Sequence, residues 1–178
     1  MKKINCKKYL GTAAVCLAIL LAAGCGYKLA PQGEYIDKRI QKVYVESFSN
    51  KTALAEIENF VRTAFINRFI QHSRFKVVGS ADAADATVKG AITHYNTAAL
   101  SYHPNKLAAE ERITVTLEIV FREKESGKII WSANGIQGYA DYKLGDDINL
   151  MPPARKNALT KLANDVAERT VNLMLAGF

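Results

Sequence analysis

The chain has 178 residues, a length that suits one domain, and its 24 basic and 17 acidic residues give a formal net charge of +7. Four of the 24 basic residues and none of the 17 acidic ones lie within the first 24 residues, which leaves a net charge of +3 on the remainder. A charge this small gives little support to a nucleic-acid partner.

The N-terminus has the pattern of an export signal. Lys2, Lys3, Lys7 and Lys8 precede an apolar run over residues 9–21, and small residues follow at 22–24. A transmembrane helix needs about 20 apolar residues, so this run is too short to span a bilayer comfortably. We therefore predict a signal peptide over residues 1–24, with a retained membrane helix as the alternative.

The end of this segment resembles the lipobox of bacterial lipoproteins. Gly24-Cys25 matches its last two positions, although Ala22 stands where leucine is usual. The resemblance implies that Cys25 becomes the first residue and carries acyl chains, several of which hold a protein stably at a membrane. Gly26 follows in place of the aspartate that retains lipoproteins at the inner membrane, which implies an outer-membrane location, lipid-anchored at the periplasmic face.

The other cysteines, Cys6 and Cys16, leave with the signal, so the folded part has neither disulfide nor cysteine ligand. Residues 25–39 contain Gly26, Pro31 and Gly33 without a clear period and are predicted to be a lipidated tether. Residues 40–178 are predicted to form a single domain.

The first half of that domain alternates between strand and helix. Residues 40–48 read as a half-buried strand, residues 53–71 as a helix capped by Asn50 or Thr52, and residues 75–78 as a short returning strand. Apolar residues recur in the helix at spacings of three and four, and Phe60, Ile66 and Ile70 widen this stripe.

Three longer strands follow, over residues 87–102, 110–123 and 129–142. Turns are predicted at residues 102–106 and 125–128, and a bulge is predicted near Asn134-Gly135. After a loop over 143–153, a last helix spans 154–175, and its predicted buried stripe ends at Leu173.

This order predicts an α+β fold in which two helices pack on one mixed, mostly antiparallel sheet of about four to five strands. The helices cover one face. The other face is expected to carry Thr114, Thr116, Glu118 and Tyr95 and to be more polar.

The sequence offers little for catalysis. His72, His94 and His103 lack metal-ligand spacing, and Asp146-Asp147 reads as a solvated pair in a glycine-bounded loop. We predict that the chain is not an enzyme and uses neither metal nor cofactor.

Three basic residues are the candidate binding groups. Lys106 lies in the first long hairpin turn, and Arg155 and Lys156 open the last helix, where positive charge opposes the helix dipole. They predict an anionic partner such as a phosphorylated lipid. The alternative is surface charge that balances Asp146 and Asp147.

The chain resembles the LptE family of lipopolysaccharide-assembly lipoproteins. The resemblance lies in residues 25–29 after the lipid cysteine, in Phe48, Asn50 and Thr52 at the end of a strand, in the Ala-Asp-Ala start of residues 84–92, and in the paired strands around residues 112–117 and 127–131. Glu46-Ser47 departs from the family, in which prolines are common at this point.

The resemblance implies an outer-membrane lipoprotein that binds lipopolysaccharide. It also implies a partner, the LptD-type β-barrel that inserts lipopolysaccharide, in which the domain sits as a plug and whose assembly it supports. Another lipoprotein adaptor, such as a curli-export-like component or a peptidoglycan-synthase activator, is the alternative. A tether of about 15 residues, at about 3.3–3.6 Å each, disfavours a reach across the cell wall.

Overall fold

The computed structural model describes residues 35–102, 108–144 and 151–177. Within these ranges the chain forms six strands and two helices. In chain order they are β1 (Lys42–Val45), β2 (Ser49–Asn50), α1 (Ile57–His72), β3 (Lys76–Val77), β4 (Ala86–Tyr102), β5 (Ala108–Glu123), β6 (Ile129–Lys143) and α2 (Met151–Ala176).

The strands form one mixed sheet in the order β3-β1-β4-β5-β6. The strand β2 pairs with the same edge of β4 as β1, a few residues further along β4. The short strands run parallel, with β1 between β3 and β4, whereas β4, β5 and β6 form an antiparallel meander. The predicted α+β fold with two helices on a mostly antiparallel sheet is therefore confirmed.

Both helices lie on one face of the sheet, because one face of each long strand is apolar. Alternate residues of β5 are fully buried, from Ile113 to Phe121. Phe65 and Phe69 of α1 pack against them, as does Val166 of α2. The Phe69 ring lies 6.4 Å from that of Phe121.

Residues 35–39, assigned to the tether by the sequence, are held on the domain, although only Ile36 among them belongs to the core. Ile36 is only 2% exposed. The Tyr35 hydroxyl donates a hydrogen bond to the Met174 carbonyl near the end of α2. The Arg74 guanidinium donates to the carbonyl of Ile36, which ties this segment to the chain after α1.

Close packing of α2 on the sheet depends on a glycine in β6. A Cβ at Gly138 would overlap the Val166 side chain. Any larger residue would therefore push the helix away from the strand.

The start of α1 differs from the prediction. The helix begins at Ile57, after Glu56 adopts a left-handed φ of 68° without a side-chain cap. Asn50 does not cap it: its Oδ1 accepts from the Thr52 backbone N–H at 2.9 Å, and its Nδ2 donates to the Leu54 carbonyl at 2.7 Å. These local bonds stabilise a turn over residues 50–54, which delays the helix.

Two side chains that were predicted to lie in the buried stripes of the helices are exposed instead. Ile70 of α1 is 61% exposed and Leu173 of α2 is 39% exposed. Each lies on the outer side of its helix, because residues one position away, Phe69 and Met174, take the core positions. The helix α2 also begins three residues earlier than predicted, at Met151.

Bulges interrupt the long strands at two informative places. The predicted bulge in β6 is confirmed, because the pairing shifts between Leu117 and Ile119 and Gly135 has a φ of 74°. A second bulge, between Ile92 and His94 of β4, was not predicted. It places Tyr95 opposite Val115 on the helix-covered face, so the assignment of Tyr95 to the open face was wrong.

No helix among the described residues is long and apolar enough to cross a membrane. The predicted signal peptide, Cys25, His103, Lys106 and the Asp146-Asp147 pair lie outside the described residues.

Candidate functional site

The candidate site lies at the end of the sheet where β4 and β6 finish and α2 begins, which we call the distal end. Arg155 reaches back from the first turns of α2, and its Nη2 donates to the Tyr95 hydroxyl at 2.5 Å. Its guanidinium carbon lies 5.8 Å from the centre of the Tyr95 ring. This hydrogen bond raises the pKa of Arg155, so the side chain stays cationic.

A second pair lies beside this contact. The Tyr142 hydroxyl of β6 donates to Glu111 Oε2 of β5 at 2.5 Å. Burial, and then this hydrogen bond, raise the pKa of Tyr142 to about 12, so the phenol is neutral at physiological pH. We call Tyr95, Glu111, Tyr142 and Arg155 the distal cluster.

The distal cluster leaves one donor without a partner. The Nε atom of Arg155 is buried and makes no hydrogen bond to any of the described residues. A buried donor of this kind costs free energy unless it is satisfied.

Arg155 and Lys156 share a cleft of about 470 Å³ between the segment that leads into α1 and the first turns of α2. Basic groups stand beside an apolar surface here, a combination suited to a ligand that has both charged and apolar parts. The lining residues are Leu54, Ala55, Glu56, Phe60, Tyr142, Pro152, Arg155, Lys156 and Leu159.

A second cleft, of about 500 Å³, continues between the two helices and shares Glu56, Phe60 and Lys156 with the first. Its remaining lining is mainly uncharged and polar, including Asn59 and Asn164. Lys156 therefore lies on the rim of both clefts.

Of the three predicted binding residues, the structure brings Arg155 and Lys156 to one cleft, the first half-buried and the second exposed. Lys106 lies between Tyr102 and Ala108, in a segment outside the described residues. Binding of lipid by these residues stays a prediction.

Sequence reasoning missed the other members of the distal cluster. Tyr142 and Glu111 read as ordinary strand residues, because their contact depends on the register that pairs them across β5 and β6. The position of Tyr95 could have been predicted from the sequence. The apolar residues of β4 stand at even-numbered positions up to Ile92, whereas Tyr95 stands at an odd-numbered position. Such a shift in the alternation indicates a bulge.

The described residues contain no group of three or more His, Cys, Asp or Glu side chains that could hold a metal ion. His94 is exposed, and its Nδ1 lies 3.1 Å from the Thr93 hydroxyl.

The open face of the sheet carries a polar group of its own. Arg112 donates to both carboxylate oxygens of Asp141, at 2.7 and 2.8 Å, and its guanidinium lies 4.8 Å from the centre of the Tyr139 ring. Its hydrogen bonds lower the pKa of Asp141. The Nε and Nη2 atoms of Arg112 are thus both engaged by Asp141.

Solved structures share this fold. A lipoprotein from Nitrosomonas europaea matches with a TM-score of 0.54 at 18% identity, over 85% of this chain and 92% of that one. A protein from Xanthomonas campestris matches with a TM-score of 0.55 at 10% identity, over 77% and 84% of the two chains. A putative lipoprotein from Caulobacter crescentus matches with a TM-score of 0.52 at 8% identity, over 74% and 89%.

At these identities the likeness concerns the fold alone. No curated protein matches the sequence. The family model described as LptE, lipopolysaccharide-assembly, matches residues 40–174, which include every strand and nearly all of both helices. The chain therefore belongs to the LptE family of lipopolysaccharide-assembly proteins.

Proposed function

We propose that this protein is an outer-membrane lipoprotein, anchored through acyl chains on Cys25, that binds lipopolysaccharide and plugs the LptD-type β-barrel translocon. In this role it supports assembly of the barrel and delivery of lipopolysaccharide to the cell surface, without catalysing a reaction. Family membership and the lipobox-like Gly24-Cys25 support the proposal.

The observation that carries lipid binding is Arg155. It stands with Lys156 on a cleft that also offers Leu54, Phe60 and Leu159. A phosphorylated lipid presents both an anion for the guanidinium and apolar chains for this surface.

The role as a plug is supported by the polarity of the outer surfaces. The lumen of a large barrel is polar, so a domain inside it needs polar faces. The open face of the sheet supplies them through Thr114, Thr116 and Glu118, each half-buried at most. The family assignment also favours a barrel over the partners of a curli-export-like component or a synthase activator.

Charge reversal tests the lipid-binding role. We expect Lys156→Glu to weaken binding of the detergent-solubilised full chain to purified lipopolysaccharide by about tenfold, which corresponds to about 1.4 kcal/mol. Arg155→Gln and Lys106→Glu should act in the same direction. Affinity measured at two salt concentrations separates a local contact from general attraction.

The matched control is Lys89→Glu, because Lys89 is an exposed lysine of β4 that lies before the bulge. Thermal unfolding of each variant checks that the domain is intact. Equal weakening by Lys89→Glu and Lys156→Glu would leave only nonspecific charge attraction and would contradict the assigned site.

A further inference from the structure

The outer edge of β4 is only partly covered. Its first residues pair with β1, from Ala86 to Val88, and Ala91 and Ile92 pair with β2. From Thr93 onward, no strand in the described ranges pairs with this edge. Between the irregularities at Ile92/His94 and Ala99/Ser101, the strand pairs regularly with β5 over residues 94–99. We call residues 94–99 the distal edge.

The distal edge lacks the usual chemical protection of an edge strand. Residues 90–102 contain neither proline nor any Asp, Glu, Lys or Arg. Side chains from Asn96 to Tyr102 are all exposed, including Leu100 at 43% and Tyr102 at 67%. Soluble proteins normally place charges or prolines on such edges, because unpaired backbone groups otherwise recruit another strand.

The opposite edge of the same sheet is protected. In β6 the bulge at Gly135 interrupts the strand, and Lys143 ends it. The Arg169 guanidinium of α2 donates to the Gln137 carbonyl, which occupies an edge acceptor. The described residues thus protect the edge of β6 and leave the distal edge unpaired, which indicates that the distal edge is covered in the working assembly.

We propose that the distal edge docks an extended segment of the barrel partner, which adds to the sheet as a further strand. This inference rests on the proposed function, because it takes the barrel as the partner. Backbone hydrogen bonds supply the affinity in this mode, and they place few demands on the partner's sequence. The uncharged edge suits an uncharged segment.

The protein's own tether is too short to fill this position. Its anchoring point, Ile36, lies by Arg74 and the start of β4, where Asp85 binds the Gln41 and Lys42 amides. Residues 25–34 extend at most about 36 Å from there. A tether that runs along β4 needs about 26 Å to pass from Ala86 to His94 and about 20 Å more to pair along the whole distal edge. The two lengths together exceed the reach of residues 25–34.

A second copy also fits the position poorly. Symmetric pairing of two edge strands is antiparallel, so the two N-terminal ends would point to opposite ends of the joined sheet. Each N-terminus carries the proposed anchor, and both anchors enter one membrane leaflet. A segment of the barrel has no such constraint.

Hydrogen–deuterium exchange of the full chain, alone and in complex with the barrel, tests this inference. We expect the amides of residues 94–99 to exchange at least tenfold more slowly in the complex, since half of them gain a backbone partner. The Lys76–Val77 strand lies on the same side of β4, beyond β1 and away from the distal end, and serves as the internal reference that should change little.

Two proline variants give a second test. In a strand, neighbouring N–H groups point to opposite sides, so one of Asn96→Pro and Thr97→Pro removes a bond to β5 and the other removes only an outward donor. The variant with the nearly unchanged melting temperature is the outward one. We expect that variant to reduce co-purification with the barrel at least tenfold.

The outcomes separate this inference from the function on which it rests. A chain that forms no complex with the barrel overturns both. A stable complex in which residues 94–99 exchange as fast as in the free chain overturns the docking edge alone. Protection that grows with concentration in the free chain identifies a second copy as the occupant and also overturns the inference.

Discussion

At the scale of single residues, Asp85 links the start of β1 to β4. One carboxylate oxygen, Oδ2, accepts hydrogen bonds from the backbone N–H groups of Gln41 at 2.9 Å and Lys42 at 2.7 Å. These two bonds hold the pKa of Asp85 below its ordinary value. The ionised form therefore stabilises the junction between β1 and β4, in the parallel part of the sheet.

We expect Asp85→Ala to lower the free energy of unfolding at pH 7 by about 1–2 kcal/mol, because two backbone donors lose an acceptor. A carboxyl whose pKa is lowered by folding stabilises the protein above its unfolded pKa of about 3.9. That contribution is lost as the pH falls through the lower folded value. The difference between variant and parent should therefore shrink in acid.

Urea unfolding at pH 7 and across the acid range measures this effect. Asp82→Ala is the control, because Asp82 is exposed in the same loop. A difference between parent and Asp85→Ala that is the same in acid as at pH 7 would contradict a role for the charge.

Residue types were easier to predict than residue neighbours. Arg155 and Lys156 were identified from charge at a helix start, where local sequence suffices. Tyr95 was assigned to the wrong face because one bulge at Ile92/His94 inverts the alternation. A strict period of two does not allow for an extra residue in one strand of a pair, and only the change of phase between Ile92 and Tyr95 marks it in the sequence.

At the scale of elements, the contact between β6 and α2 is set by Gly138 and Val166. We expect Gly138→Ala to cost about 1–3 kcal/mol, because the new methyl group overlaps the valine and the helix must shift. In a Val166→Ala background the same change should cost at least about 1 kcal/mol less, since the space is then available. Denaturant unfolding of the four chains gives this coupling as a double-mutant cycle.

Gly79→Ala is the matched control for that cycle, because a Cβ at Gly79 meets nothing within 4 Å. It should change stability little. Additive costs for Gly138→Ala and Val166→Ala would rule out the proposed overlap as the cause.

The three long strands were predicted to within two residues at each end, because the alternation of apolar residues, clearest in β5, follows burial, whereas β1 is shorter than the predicted 40–48 and β2 was not predicted. The start of α1 was not predicted correctly. Asn50 and Thr52 are favourable both as caps and in turns, and only the observed bonds from Asn50 to Thr52 and Leu54 show which use prevails. The left-handed Glu56 then sets the first helical residue at Ile57.

At the scale of the whole molecule, the proposed anchor on Cys25 would determine where the domain works. We expect Cys25→Ala to abolish acylation and to shift the protein out of the outer-membrane fraction. Intact-mass measurement and membrane fractionation check both effects. Several acyl chains hold a protein stably, at about 0.8 kcal/mol per buried CH₂, so the loss should be nearly complete.

Cys16→Ala is the control, because Cys16 lies within the predicted signal. It should leave the mature product unchanged. An unmodified Cys25 in the parent protein would remove the anchor from the proposed function.

The sheet as a whole was predictable in class but not in order. Local patterns identify β4, β5 and β6 as a meander, because only five residues separate each strand from the next. The position of β1 between β3 and β4 depends on contacts between segments far apart in sequence, such as Val43 with Ala86. The spacing of apolar residues within one segment does not show which distant segment it pairs with.

This topology has a consequence for folding. The meander can form early from contacts across tight turns, such as the bond from the Glu123 amide to the Lys128 carbonyl, since closing short loops costs little entropy. The parallel strands must instead bring in the first segment of the chain across α1. In a chain that emerges N-terminus first, β1 therefore has no strand partner until β3 and then the start of β4, up to Val88, have emerged, so its place in the sheet is fixed later than its place in the chain.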